Sequence, residues 1–169
     1  RATDRLRFVP DGLNADSGSV TYRAWDQTSG TFGTTADASG NGGTTAFSTA
    51  TDTAGITVTG VNDAPVLDNT GGTDFTTISE DETGSSGDLV SALVASSIGD
   101  VDTGAAAGIA VTGLASGSGS WQFSTDGTTW TAVGSASDTN ALLLRATDRL
   151  RFVPDGLNAD SGSVTYRAW

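Results

Sequence analysis

Cysteine, histidine and methionine are absent from this sequence, and no lysine accompanies its arginines. Without cysteine there is no disulfide framework, no thiol nucleophile and no thiolate-bound zinc or iron–sulfur cluster. Without histidine the usual general base, the Ser-His-Asp triad and the commonest transition-metal ligand are gone. Positive charge is scarce as well: 8 basic residues face 20 acids, for a net charge of -12. That balance opposes nucleic acid or an anionic membrane as partner, because both recruit cationic patches. It favours cations and high solubility. No apolar run approaches the roughly 20 residues of a membrane span. The 169 residues still suffice to bury a core without cross-links. The first residue is Arg1 and no signal-peptide pattern follows, so the chain reads as an internal piece of a longer protein.

What is present begins with a repeat. Residues 1–25 read RATDRLRFVPDGLNADSGSVTYRAW, and residues 145–169 read the same, letter for letter, at an offset of 144 residues. Ancient duplicates would have diverged, so the chain reads as one period of a tandem array plus a 25-residue overlap. All 8 arginines lie inside the two copies, whereas residues 26–144 hold 14 acids and no basic residue.

Short alternating runs recur between Gly, Ser, Asn and Asp turn signals. Leu6–Val9, Ser19–Trp25, Gly55–Val61, Leu89–Val94, Ile109–Leu114, Trp121–Ser124, Thr129–Val133 and Ala141–Leu144 read as strands. Asp126-Gly127 reads as a hairpin turn. No segment sustains a 3.6-residue period for three turns. The pattern predicts an all-β fold, an immunoglobulin-like β-sandwich. Its expected core is Ile56, Phe75, Ile78, Leu89, Leu93, Val111, Leu114, Trp121, Phe123, Trp130, Leu143, Leu150, Phe152 and Tyr166. Residues 28–51, rich in Gly, Thr and Ser, read as a long loop.

Pro65 cannot donate to a sheet ladder and holds Ala64 extended. A boundary is therefore expected at about residue 62. Residues 1–61 are the C-terminal part of one repeat, 62–67 a linker, and 62–169 the N-terminal part of the next.

Ala24-Trp25-Asp26, then a strand, then Val61-Asn62-Asp63-Ala64-Pro65 resembles the close of a cadherin domain, where A-x-D precedes the last strand and V-N-D-N-A-P ends it. Ile78-Ser79-Glu80-Asp81 is similar to the cadherin V-x-E-N, and Asp100-Val101-Asp102-Thr103-Gly104 to D-x-D-x-G. The chain thus resembles a cadherin-like extender repeat of the giant bacterial RTX adhesins. The resemblance implies a cadherin-like sandwich, many copies in series, Ca2+ between them, type I secretion and an extracellular, cell-surface place in adhesion and biofilm.

Calcium takes six to eight oxygens from carboxylates, carbonyls and water. On this reading the preceding domain supplies Asp26 with one or both of Asp11 and Asp16. The linker supplies Asn62 and Asp63. The next domain supplies Asp100 and Asp102, whose i, i+2 spacing lets both carboxylates converge from one loop. Glu80 serves the opposite joint with Asp155 and Asp160, the twins of Asp11 and Asp16. Asp81 and Glu82 read as solvated rim acids. Asp37, Asp52, Asp68, Asp74, Asp88 and Asp138 read as surface, and Asp4, Arg5 and Arg7 as an exposed strand face.

The expected function is a calcium-stiffened spacer that projects an adhesive tip, with identical neighbouring repeats as partners. The alternative is a calcium-dependent carbohydrate-binding, lectin-like module using Trp25, Trp121 or Trp130. An enzyme is not expected, because the acid pairs lack a cleft.

Overall fold

The computed structural model describes residues 3–169, so Arg1 and Ala2 of the first repeat copy lie outside it. The described chain is almost entirely strands, turns and loops, with one five-residue helix, and every strand pairing is antiparallel. It divides into two compact units, Arg1–Asn62 and Asp63–Trp169.

The first unit is built on one ribbon. β1 (Asp16–Tyr22) pairs with β2 (Asp52–Val58), from Asp16 opposite Val58 to Tyr22 opposite Asp52. Residues 28–51 form no strand. They are gathered by a single bridge between Trp25 and Phe47 and by the Arg23 guanidinium, which donates to the carbonyls of Ser48 and Thr49. A two-stranded ribbon has no second layer to bury its apolar face. Val20, Tyr22 and Ile56 accordingly stay exposed. Ile56 was expected in the core and is not there.

The second unit holds the core. Its strands are β3 (Val66–Leu67), β4 (Asp88–Leu89), β5 (Ile98–Gly99), β6 (Gly108–Ala115), β7 (Ser120–Ser124), β8 (Thr131–Ala132), β9 (Leu142–Arg145), β10 (Arg149–Val153) and β11 (Ser163–Ala168). One sheet runs β4-β10-β7-β8, a second β11-β6-β9, and β3 pairs with β5. Ile109 and Val111 of β6, Leu144 of β9 and Leu150 of β10 are fully buried together with Val90, Leu93 and Val94. Each such side chain contributes roughly 1.5–3 kcal/mol by leaving water. Trp121 is buried between Phe75 at 4.8 Å and Phe152 at 5.2 Å, and its indole N–H donates to Ala115 O. Gly87 (φ 60°) lies so close to Leu150 O that a Cβ there would sit 2.5 Å from it. Only glycine fits.

The elements depart from expectation in four places. Leu89–Val94 is strand only at Leu89 and then turns into α1 (Val90–Val94). Its apolar residues recur at 89, 90, 93 and 94, a helical rather than an alternating spacing. Leu143 is exposed, because Leu142 and Leu144 face the core instead. Trp130 is half-buried, with the Arg151 guanidinium 4.1 Å over its ring. The run Arg-Leu-Arg-Phe-Val is β10 in the second copy, yet Leu6–Val9 in the first is no strand, with Leu6 87% exposed against 0% for Leu150. The second copy pairs with β7 and β4, which lie upstream of it in sequence. Residues 6–9 of the first copy have no strand partner among the described residues. Strand formation here follows the available partner, not the local sequence.

Candidate functional site

The β3–β5 pair sets Val66 opposite Gly99 and so brings the 62–67 segment beside the loop that follows β5. There the Asp63 N–H donates to Asp102 Oδ2 at 2.8 Å, and the Asp102 N–H donates to Asp100 Oδ1 at 2.8 Å. Asp102 is half-buried and Asp100 exposed. An open depression of about 160 Å³ adjoins them, lined by Pro65, Ile98, Asp100, Asp102, Gly104 and residues 105–107. Asp63, Asp100 and Asp102 are thus tied into one loop cluster of the second unit.

The other expected ligands are engaged locally. Asp11 Oδ1 accepts the Leu13 N–H at 3.0 Å, and its twin Asp155 accepts the Leu157 N–H at the same distance. Both are self-capped turns of the kind Asp forms readily. Asp16 accepts the Ser17 N–H. Asp26 Oδ1 takes both the hydroxyl and the N–H of Thr28, which hold its carboxyl below the usual range. Asn62 ends the first unit. Glu80 is exposed on a turn closed by the Glu82 N–H on Ser79 O. Asp160 accepts N–H bonds from Ser161 and Ser118 and is lowered by them in that order. Its carboxylate lies against Gly117, where any Cβ would collide with it. Asp160 thereby pins the turn between β6 and β7.

Among the described residues, no group of three or more His, Cys, Asp or Glu side chains is gathered so as to hold a metal ion. The second unit thus sets two carboxylates, Asp100 and Asp102, in one loop beside the Asp63 N–H, with one oxygen of each engaged by a backbone N–H.

Three carboxylates outside the expected ligand set, of which Asp88 was expected at the surface, carry more structure than the expected ligands. Asp148, the twin of Asp4, is 2% exposed and accepts the backbone N–H and the guanidinium of Arg145 across a tight turn. Asp88 is half-buried and accepts the Thr76 N–H and hydroxyl, fastening residues 73–78 to β4. Asp126 accepts the N–H groups of Thr128 and Thr129, which hold its carboxyl far below the usual range. The Asp-Gly turn pointed to Asp126. Asp148 had no signal in a single sequence, because its partner, three residues back, defines a turn that the alternating pattern does not show. Asp138, also read as surface, pairs with Arg167 at 3.0 Å and stays exposed.

Compared with family models, with curated proteins and with solved structures, the chain has no significant match. No helix among the described residues is long and apolar enough to cross a membrane.

Proposed function

We propose that the chain is part of a calcium-stiffened structural spacer: cadherin-like β-sandwich repeats in series, extracellular, holding an adhesive tip away from the cell surface as in RTX adhesins. One observation carries the reading. The Asp63 backbone is bonded to the carboxylate of Asp102, which is bonded through its own N–H to Asp100. Carboxylates offered at a joint repel one another, and a hard divalent cation reverses that sign. Asp100 and Asp102 with carbonyls of their loop give part of the six to eight oxygens calcium takes. Binding only the docked arrangement, the ion shifts the joint toward it.

The composition supports the same reading, since a chain of this charge without His or Cys offers hard oxygen ligands only. The test is calorimetric titration with calcium of the wild-type chain and of the Asp100→Asn/Asp102→Asn variant. Binding in the micromolar-to-millimolar range, weakened at least about tenfold in the variant, is expected. An identical titration for both proteins defeats the assignment.

A second reading, carbohydrate binding, is favoured by a depression in the first unit lined by Tyr22, Trp25, Phe32 and Phe47. Trp121 cannot serve it, being buried. Glycan binding lost in Trp25→Ala would favour this second reading.

A further inference from the structure

Arg23 is the one basic residue between positions 8 and 144, in a chain that carries 20 acids. Its guanidinium donates to the carbonyls of Ser48 and Thr49. Carbonyls satisfy N–H groups without cancelling the charge. The identical arginine of the second copy, Arg167, is instead paired with Asp138 at 3.0 Å. Among the described residues no carboxylate pairs with Arg23. Arg23 lines the depression of the first unit, about 500 Å³, together with Tyr22, Trp25, Phe32 and Phe47. Among the described residues no acid lines it. Asp26, Asp37 and Asp52 lie on the same segments but outside its wall, and their carboxylates accept from Thr28, Ser39 and the Tyr22 hydroxyl.

The wall is held in place by bonds of its own. The Trp25 indole N–H donates to Ser29 O at 2.7 Å, and a Cβ on Gly30 (φ 83°) would sit 3.7 Å from the Trp25 ring. The bridge between Trp25 and Phe47 fixes the second aromatic. The Thr34 N–H and hydroxyl both donate to Thr31 O, closing the turn that carries Phe32. Phe32 itself is 55% exposed, so its ring is open to a ligand. Rings held beforehand lower the ordering cost of binding.

We infer that this depression takes an acidic sugar, a uronate ring of a polysaccharide, with Arg23 receiving the carboxylate. The inference rests on the carbohydrate reading of the depression and adds the charge of the ligand. A pyranose ring offers an apolar C–H face to an aromatic side chain and hydroxyls to threonines such as Thr31 and Thr34, which also line the wall. A carboxylate adds charge-assisted bonds to a guanidinium, which a neutral sugar cannot make. The net charge of -12 repels anions from most of this surface. An acid-free wall around one unneutralised arginine is where that repulsion is locally reversed.

Calorimetric titration of the full chain tests it, with three probes: a glucuronic acid oligosaccharide, its methyl ester, and a glucose oligosaccharide of the same length. EGTA in the buffer removes calcium as a bridge. The acid should bind about tenfold or more tightly than either neutral probe. Arg23→Gln should erase that preference, whereas Phe32→Ala should weaken all three probes alike. Arg23→Gln also removes a tie to residues 48 and 49, so the wild-type comparison of acid with ester stands independently of any change in the loop. Equal affinities for the three probes, or a preference that survives in Arg23→Gln, overturn the inference and leave the carbohydrate reading standing. Benzoate bound as tightly as the sugar acid also overturns it, revealing a carboxylate site indifferent to sugar. No binding of any probe defeats both the inference and the reading beneath it.

Discussion

Asp126 and Asp148 use their carboxylates in contrasting settings. Asp126 is exposed and takes its charge stabilisation from two backbone N–H groups at the hairpin tip. Its folded pKa lies below the unfolded value of about 3.9, so its contribution is complete above that value and declines as pH falls toward the lower folded one. Asp126→Asn should therefore lower the melting temperature near neutrality, and the gap to wild type should narrow as acid is added through about pH 4 and below. Thermal denaturation across pH checks this, and a gap that widens in acid contradicts it. Asp148 is buried, and its removal leaves the Arg145 N–H without a partner. Asp148→Ala should cost about 2 kcal/mol in urea unfolding. The twin change Asp4→Ala, at an exposed position, should cost within about 0.5 kcal/mol.

At the scale of elements the repeat supplies an internal control. Leu150→Ala empties a fully buried site on β10 and should cost about 3 kcal/mol. Leu6→Ala, the same residue in the same local sequence, should cost within about 0.5 kcal/mol, because Leu6 is exposed. Equal losses would mean that the first copy is packed like the second. The same pair explains what sequence could and could not reveal. Period-2 runs with turn residues between them were enough for β6, β7 and the turn at Asp126-Gly127. The phase of β9 was not readable, because Ala141–Leu144 is apolar throughout and nothing in it alternates. The helix at Val90–Val94 was readable from its spacing, but its five residues fell below the length at which a helical period stands out. The strand at Leu150 and its absence at Leu6 were beyond any local reading, since only the partner strand differs. Of the candidate site, what could be read was that Asp100 and Asp102 lie in one loop; the structure sets that loop beside the Asp63 N–H. Asp11, Asp100 and Asp155 each spend a carboxylate oxygen on the N–H two residues on, and Asp160 spends its own on Ser161 and Ser118.

At the scale of the molecule, two compact units meet at Asn62 and Asp63, with the Pro65 connector following. Domains in series move relative to one another by default, so a stiff joint needs an added interaction. The proposed cation supplies one, and the net charge of -12 makes its loss costly through self-repulsion. Raising ionic strength with sodium chloride should relieve that repulsion, yet it should not reproduce the effect of calcium if the ion is held by specific oxygens. The most direct measurement is small-angle X-ray scattering of the chain in EGTA and in millimolar calcium. A calcium-dependent narrowing of the distance distribution, absent in Asp100→Asn/Asp102→Asn, is the predicted result. Superimposable profiles with and without calcium would contradict the account.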